Sequence, residues 1–437
     1  SILLHPCRTA IFHRHVLMVL WSLLLISLAS FDHAEAAEAA PRPTNSCTNP
    51  VESSDFDAAT VLEQILAQDH GAMDPTVLPN SILALKERGA HLCWHKHSTF
   101  LQHLVSVHDI LRLWGQGPVI GRVGLFHSAY SNSFVNLALF TVDQERPYMQ
   151  SLIGEKAEDL VYLFCSIDRQ KVVVETLLGQ GFIPPSGMDV PHLHNASQTI
   201  HLSPEILRLL VVFSMADVAD QYFGWQDELF GGGGPDQGSM LIPGQAHDES
   251  RHVPTALWPG VSKPGLWMSY LSDLGRVAQT FDPDWRKNVT SEDGESSDAL
   301  QGGPVLDIPP VFDNCTQALT VKDEAEAIDL YWGVVTSQST TNNRISKLQQ
   351  CSAKNPWVFE PHVLLAQEYL HIGDFSKAEQ QAQQALTLQQ QWGTPWDKRI
   401  SLGAWVAWTR VLLQRAQKKE PWPTNSFGII NLGLVTT

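Results

Sequence analysis

Apolar residues recur three and four positions apart along most of the chain, which is the spacing of one buried helix face. Between residues 57 and 228 the segments AATVLEQILAQ, SILALKERGA, FLQHLVSVHDILRLW and AEDLVYLFCSI all follow this spacing. Ser203-Pro204-Glu205 opens a further helix with a serine cap and a proline in the first turn. The segment VVVETLL fits either a strand or a helix, and no series of strands is indicated. The pattern predicts an all-α fold.

Composition and periodicity change at five points along the chain. We interpret the segments as a signal peptide or membrane anchor, a flexible lead-in, a helical domain, a linker, a second helical domain and a tail, at 1–36, 37–56, 57–281, 282–322, 323–418 and 419–437. Within the first helical domain, four glycines open a predicted loop at residues 231–256. The glycines lack the preceding strand and the following Lys-Ser/Thr pair of a phosphate-binding loop, so they predict none.

The first 36 residues predict a targeting segment. Arg8 and Arg14 precede the apolar run HVLMVLWSLLLISLASF, and Ala34-Glu35-Ala36 has the small residues of a cleavage site. We therefore expect a secreted protein or one of the endoplasmic reticulum lumen. An uncleaved membrane anchor over residues 15–31 is the alternative, because the apolar run is near the short limit for a membrane span.

Glycosylation acceptors and cysteines fit the secretory interpretation. Asn-X-Ser/Thr triplets begin at Asn195, Asn288 and Asn314. Of six cysteines one lies in the leader, which leaves an odd number in the mature chain. We expect Cys165 to be a buried free thiol. The two expected disulfide bridges join Cys47 with Cys93 and Cys315 with Cys351.

The overall charge limits the class of partner. A net charge of −17 argues against a general nucleic-acid surface or an anionic membrane surface. A small anionic ligand stays open, because a local phosphate site needs only a metal ion or a few arginines.

The segment EPHVLLAQEYLHIGDFSKAEQQAQQALTLQQQWG carries small and aromatic residues at regular spacing. These residues are Leu365, Ala366, Tyr369, Gly373, Ala378, Ala382 and Ala385. Alanines let two antiparallel helices pack closely, and Gly373-Asp374 would make the turn between them. The segment resembles a tetratricopeptide repeat. The resemblance implies a short helical array that packs partly on the N-terminal domain, either as a structural cap or as a site for a protein or peptide partner.

Two histidines and one aspartate stand out on the apolar helices of the first domain. His103, His127 and Asp217 could together hold a divalent metal ion if their helices are neighbours. The alternative is a metal-free polar cluster in which the histidines hydrogen-bond to Ser128, Tyr130 or Asp217.

Four helical segments from residue 97 to 217 resemble the HD phosphohydrolase superfamily, especially the hydrolase domain that acts on the guanosine tetraphosphate alarmone. They are FLQHLVSVHDILRLWG, GRVGLFHS, LIGEKAEDLVYLFC and LLVVFSMADVADQYF. A closer resemblance is to an uncharacterised helical family with the patterns H-S-x-x-L-x-x-H-L, G-L-F-H-S-x-Y and Y-L-F-C-x-x-D-R. The HD resemblance implies an HD-like helical bundle with His103, His127 and Asp217 as ligands of Mn, Fe or Zn.

Ser128 stands where the HD family has the aspartate of its His-Asp pair. Serine cannot supply the negative charge that helps to activate a metal-bound water. The resemblance therefore implies ligand or metal binding and scaffolding rather than efficient hydrolysis, and whether the protein is an enzyme stays open. The alternative is a metal-dependent hydrolase of a phosphoester or related small molecule. Ser128 and Tyr130 would then orient water or substrate, and His97 or Arg169 would contact it.

The remaining charged residues of this domain have simpler interpretations. Glu155, Glu158, Asp220 and Asp227 are expected on solvated helix faces. Asp168-Arg169 fits a helix-end ion pair or an N-cap, with contact to an anionic ligand as the alternative. His108-Asp109 is a literal His-Asp pair, but His108 lies five residues after His103 and is turned about 140° around the helix. We expect no metal there.

Overall fold

The structure is a computed structural model that describes residues 57–95, 98–131, 138–221, 267–280, 319–336 and 339–430. These ranges are mostly helical, with two small antiparallel hairpins, which confirms the all-α prediction. Within them, no helix combines the length and the apolar character needed to cross a membrane. Several predicted features lie outside the described residues: the leader, the glycine-rich loop, Cys47, His97, Asp227, Asn288, Asn314 and Cys315.

Among its described residues, the N-terminal part contains nine α-helices. They are α1 Ala58–Ala67, α2 His70–Met73, α3 Leu78–Glu87, α4 Phe100–Leu113, α5 Pro118–Phe126, α6 Val142–Ile153, α7 Glu155–Ser166, α8 Pro204–Gln221 and α9 Met268–Gln279. The valine-rich segment that fitted either a strand or a helix forms a π-helix, Gln170–Leu178. Ser203 precedes α8, and its Oγ accepts from the amide of Ile206 at 3.4 Å, in agreement with its predicted capping role.

Two hairpins interrupt the helices. The strands are β1 Trp94–His95 with β2 Ser98–Thr99, and β3 Met188–His192 with β4 Asn195–Leu202. The sequence did not predict the second hairpin, because β4 is rich in polar residues and β3 is short and contains a proline. Asn195 is exposed at the start of β4.

The approach of α4 and α5 depends on glycine. A Cβ atom on Gly124 would lie 2.7 Å from Cδ1 of Leu111 and 3.2 Å from the backbone nitrogen of His108. A side chain here would press on both atoms, so Gly124 lets α5 lie directly against α4. His108 therefore faces α5, and its Nδ1 lies 2.8 Å from Oδ1 of the neighbouring Asp109.

The C-terminal part continues as helices that pack on their neighbours in sequence. They are α10 Val321–Val335, α11 Thr341–Lys354, α12 Glu360–His371, α13 Phe375–Trp392, α14 Leu402–Gln417 and α15 Ser426–Ile430. The small residues between α12 and α13 are fully buried, as their spacing predicts: Ala366, Ala378, Ala382 and Ala385. Asp374 begins α13 by accepting from the amide of Lys377 at 3.2 Å.

The two parts share one hydrophobic core. The ring of Trp392 lies 6.3 Å from that of Trp114 and 6.0 Å from that of Trp267, measured between centroids. Glu324 of α10 is fully buried and caps α9, because its carboxylate accepts from three successive amides, at Trp267, Met268 and Ser269, over 2.8 to 3.0 Å. The C-terminal helices therefore contact the N-terminal part directly.

Candidate metal centre

Three helices bring the predicted ligands together in the protein interior. His103 lies on α4, His127 follows the last residue of α5, and Asp217 lies on α8. Their exposed fractions are 3%, 2% and 8%. The close contact of α4 with α5 places the two imidazoles side by side, and α8 packs across α4 with its aspartate facing them. These three residues form the group in the described ranges that could hold a metal ion.

The ligand atoms point at one another. Nε2 of His103 lies 3.3 Å from Nε2 of His127 and 3.3 Å from Oδ1 of Asp217. Nε2 of His127 lies 3.7 Å from the same oxygen. A single ion placed between the three atoms would therefore contact all of them.

The outer nitrogen of each imidazole has a partner that fixes its tautomer. Nδ1 of His103 lies 2.7 Å from Oδ2 of Asp220, and Nδ1 of His127 lies 2.7 Å from the carbonyl oxygen of Gly124. Both partners accept hydrogen bonds, so each Nδ1 carries the proton and donates it. Each Nε2 then presents its lone pair to the centre, the arrangement that outer partners impose on metal-binding histidines.

Three acceptors facing one another in a buried site require a cation between them. In the absence of metal that cation is a proton on His103. Burial lowers the pKa of His103, but hydrogen bonds to Asp217 and Asp220 outweigh burial and raise it to about 9. Burial lowers the pKa of His127 to about 4, so this imidazole stays neutral. Burial alone would raise the pKa of Asp217, yet the hydrogen bond and charge of protonated His103 and the charge of Arg169 lower it and keep the carboxylate ionised.

Arg169 is buried beside the centre. Its Nη1 lies 3.7 Å from Oδ2 of Asp217, and its guanidinium lies 5.1 Å from the centroid of the Phe213 ring. Burial lowers the pKa of Arg169, and the charge of Asp217 opposes this effect. On α9, burial raises the pKa of the Tyr270 hydroxyl, and the charge of Asp217 raises it further. Arg169 thus forms an ion pair with the candidate ligand Asp217. An anion bound at the centre would also interact with the positive charge of Arg169.

Tyr130 and Glu158 form a separate buried contact. The Tyr130 hydroxyl donates to Oε1 of Glu158 at 2.8 Å, and Arg146 donates to both oxygens of that carboxylate at 2.8 Å. Glu158 is fully buried, so its predicted place on a solvated face is wrong. The partners come from α6 and the segment after α5, which local spacing does not reveal. Ser128 follows His127 and is 1% exposed.

Asp220 is the functional residue that sequence reasoning missed. It was expected on a solvated face, but it is 4% exposed and accepts from His103. The signal was present in the sequence, because Asp217 and Asp220 are three residues apart and therefore share one face of α8. The prediction for Glu155 holds, since that side chain is exposed. Cys165 is a buried free thiol, as predicted, with its Sγ 3.6 Å from the carbonyl oxygen of His127.

The comparisons with known proteins cover part of this site. Residues 84–169 match a family model described as Domain of unknown function (DUF6817). The match includes His103 and His127, whereas Asp217 and Asp220 lie beyond it on α8. None of the curated proteins or solved structures gives a significant match, and neither an HD nor a tetratricopeptide family was identified. The chain is therefore a mostly helical protein that carries, over residues 84–169, a domain of unknown function.

Proposed function

We propose that the protein binds one divalent metal ion through His103, His127 and Asp217, with Asp220 holding His103 in place. The observation that carries the proposal is the convergence of three acceptor atoms whose tautomers are already set. Two imidazole nitrogens and one carboxylate oxygen form a donor set that Zn, Fe and Mn all accept in proteins. As outer partners, Asp220 and the Gly124 carbonyl would keep the site ordered for the ion.

The separations between the ligand atoms favour zinc within this set. Zinc binds nitrogen at about 2.0 to 2.1 Å in a tetrahedron, whose ligand atoms then lie about 3.3 Å apart. An octahedral ion with ligands at about 2.1 Å needs neighbouring ligands about 3.0 Å apart. The three separations in the site are 3.3, 3.3 and 3.7 Å. Three protein ligands leave a fourth tetrahedral position for a water or a small ligand.

We propose ion binding, with ligand binding or scaffolding, rather than efficient hydrolysis. A divalent ion supplies a polarised, more acidic water in its open position. The HD resemblance implies a second carboxylate that helps to activate this water, whereas this chain has Ser128 at the matching position. The Tyr130 hydroxyl, a candidate for orienting the water, donates to Glu158. We also propose that the N-terminal helices form an HD-like bundle and that the C-terminal helices form a tetratricopeptide-like array for a protein or peptide partner. The proposed localisation is the secretory pathway.

Metal analysis of the purified protein tests this proposal. We expect close to one zinc per chain, and we expect His127→Gln to lose it. His108→Gln is a matched control, because His108 is also a buried histidine, 2% exposed, but pairs with Asp109. Cobalt substitution adds a spectroscopic test, since tetrahedral Co²⁺ absorbs visible light far more strongly than octahedral Co²⁺. Wild-type protein that neither contains nor takes up a divalent ion would refute the proposal.

A second candidate, a metal-dependent phosphoester hydrolase, is favoured by one observation. Arg169 places a buried cation next to Asp217, where it could neutralise a phosphoryl oxygen bound at the open metal position. The test is phosphatase activity with added Zn²⁺ or Mn²⁺, in wild-type protein and in Arg169→Met. Activity lost in the variant while the metal content stays constant would support the hydrolase. Absence of activity in metal-loaded wild-type protein would refute the hydrolase and leave metal binding as the proposed function.

A further inference from the structure

Lys398, in the segment between α13 and α14, reaches the helix that carries both aspartates of the metal centre. Its Nζ donates to the carbonyl oxygen of Ala219 at 2.6 Å, to Oγ1 of Thr394 at 2.8 Å and to the carbonyl oxygen of Pro395 at 3.0 Å. An ammonium group has three N–H donors, so each of them has an acceptor. The contact to Ala219 joins residues 179 positions apart.

The position of this contact on α8 matters for the site. The Ala219 carbonyl belongs to the backbone of α8 and lies between the two aspartates in sequence. An ammonium group that donates to this carbonyl forms a charge-assisted hydrogen bond with the backbone of the helix. Asp217 and Asp220 flank Ala219 in the same turn. Lys398 therefore binds the turn of α8 that carries both carboxylates.

The segment around Lys398 also contacts the helix of His103. Gly393 has a φ of 68°, and a Cβ atom there would lie 2.8 Å from Cδ2 of Leu113, the last residue of α4. Trp392 anchors the segment, since its Nε1 donates to the carbonyl oxygen of Trp357 at 2.5 Å. One segment of the C-terminal part thus contacts both α4 and α8, the helices that carry His103 and Asp217.

We propose that Lys398 is a positioning residue of the metal centre, so that the affinity for the ion depends on the C-terminal helices. By binding the backbone of α8 between the two aspartates, it holds Asp217 toward the imidazoles and Asp220 toward Nδ1 of His103. This inference rests on the proposed metal site and goes beyond it, because it assigns the C-terminal part a role in forming that site.

The charge of Lys398 supports a role beyond packing. Burial lowers the pKa of Lys398 to about 8, while the charges of Asp220 and Glu360 oppose this effect. The Nζ atom lies 5.2 Å from the centroid of the Trp267 ring. An apolar side chain of similar length would fill this space without the cost of burying an ammonium group. Such a side chain cannot donate a hydrogen bond to the carbonyl oxygen of Ala219.

Cobalt titration of the full chain tests the proposal, with Lys398→Met as the variant. Met keeps the length of the side chain and removes its three donors. We expect the affinity for Co²⁺ to fall at least about tenfold, the range seen when outer partners of metal ligands are removed. Lys377→Met is the matched control, because Lys377 is exposed on α13 and pairs with Asp374. Its affinity should equal that of wild-type protein.

A second variant keeps the test decisive if Lys398→Met does not fold. Thr394→Val removes one acceptor of Nζ and retains the lysine, so we expect a smaller loss of Co²⁺ affinity with an unchanged tetrahedral spectrum. Equal affinities in wild-type protein and in folded variants would overturn the role of Lys398 and leave the metal site standing. Absence of Co²⁺ binding by wild-type protein would overturn both proposals.

Discussion

His103 and Asp220 form a buried pair in which Nδ1 lies 2.7 Å from Oδ2, the same distance that separates Nδ1 of His201 from Oδ1 of Asp189 on the surface. The two pairs share their chemistry and differ in their surroundings. The inner pair orients an imidazole whose other nitrogen faces the metal centre, whereas the side chains of the outer pair are 60% and 69% exposed. The outer pair is therefore a natural control for the inner one.

Asp220→Asn should weaken zinc binding by about 10- to 100-fold, because it removes the negative charge that holds and polarises His103. Asp189→Asn should leave the affinity unchanged. Isothermal titration with Zn²⁺ on the two variants and wild-type protein measures the difference. Equal affinities in all three proteins would mean that Asp220 does not act on the centre.

Gly124→Ala should destabilise the protein and disturb the site. The added Cβ atom would lie 2.7 Å from Cδ1 of Leu111 and 3.2 Å from the backbone nitrogen of His108, so the Leu111 side chain must shift and we expect α5 to move slightly from α4 with His127. We expect the free energy of unfolding to fall by about 1 to 3 kcal/mol, as for other overpacked cores. Urea unfolding measures the loss, and Co²⁺ uptake reports on the site.

Gly179→Ala is the control for this substitution. Gly179 follows the π-helix with a φ of −62°, and a Cβ atom there would meet nothing within 4 Å. Alanine should be neutral or slightly stabilising at this position. Similar losses of stability in the two variants would contradict a specific role for Gly124 in the contact of α4 and α5.

The sequence predicted the features that local patterns determine, and it did not predict contacts between distant parts of the chain. The all-α fold followed from helical periodicity, and the three candidate ligands followed from the position of each residue on an apolar helix. Glu158 could not be placed in the same way, because Arg146 and Tyr130 meet it only in the folded protein. The contact of Lys398 with Ala219 depends on packing between distant parts of the chain, which no local pattern records.

Zinc affinity should rise with pH because the ion replaces a proton on His103. The folded pKa of His103 is about 9, above its ordinary value of 6.5. In the metal-free protein the stabilisation from this proton is complete below pH 6.5 and is lost as the pH rises through 9. Over that interval the affinity should rise about tenfold per pH unit, with release of about one proton per ion bound.

Titration calorimetry in buffers of different ionisation enthalpy measures this proton release. His103→Gln keeps no titrating group at the position, so whatever binding remains should lose most of its dependence on pH. An affinity that stays constant between about pH 6.5 and 8.5 would contradict protonation of His103 in the metal-free protein.

Glu360→Gln should stabilise the protein above neutral pH. Glu360 is fully buried, its Oε1 accepts from the amide of Asp397 at 2.9 Å, and its Oε2 has no hydrogen-bond partner within the described part of the chain. Burial raises its pKa to about 8 from the ordinary 4.5. The stability of wild-type protein should therefore fall as pH rises from 4.5 through 8, because the folded state resists losing this proton.

Glutamine keeps the acceptor of Glu360 and carries no charge, so the advantage of the variant should grow over this interval and then level off. We expect a difference on the order of 5 kcal/mol at its maximum, measured by urea unfolding at several pH values. Glu368→Gln, on the same helix, should instead destabilise the protein, because Glu368 pairs with Arg344 at 2.7 Å. A constant difference between Glu360→Gln and wild-type protein across pH would contradict the raised pKa.

The carboxylate of Glu324, which accepts from three successive amides at the start of α9, makes the two halves of the chain inseparable in practice. A fragment that stops before α10 would leave those donors without acceptors inside an apolar layer, and α9 would unwind there. Fragments made for biophysical study should therefore retain both halves.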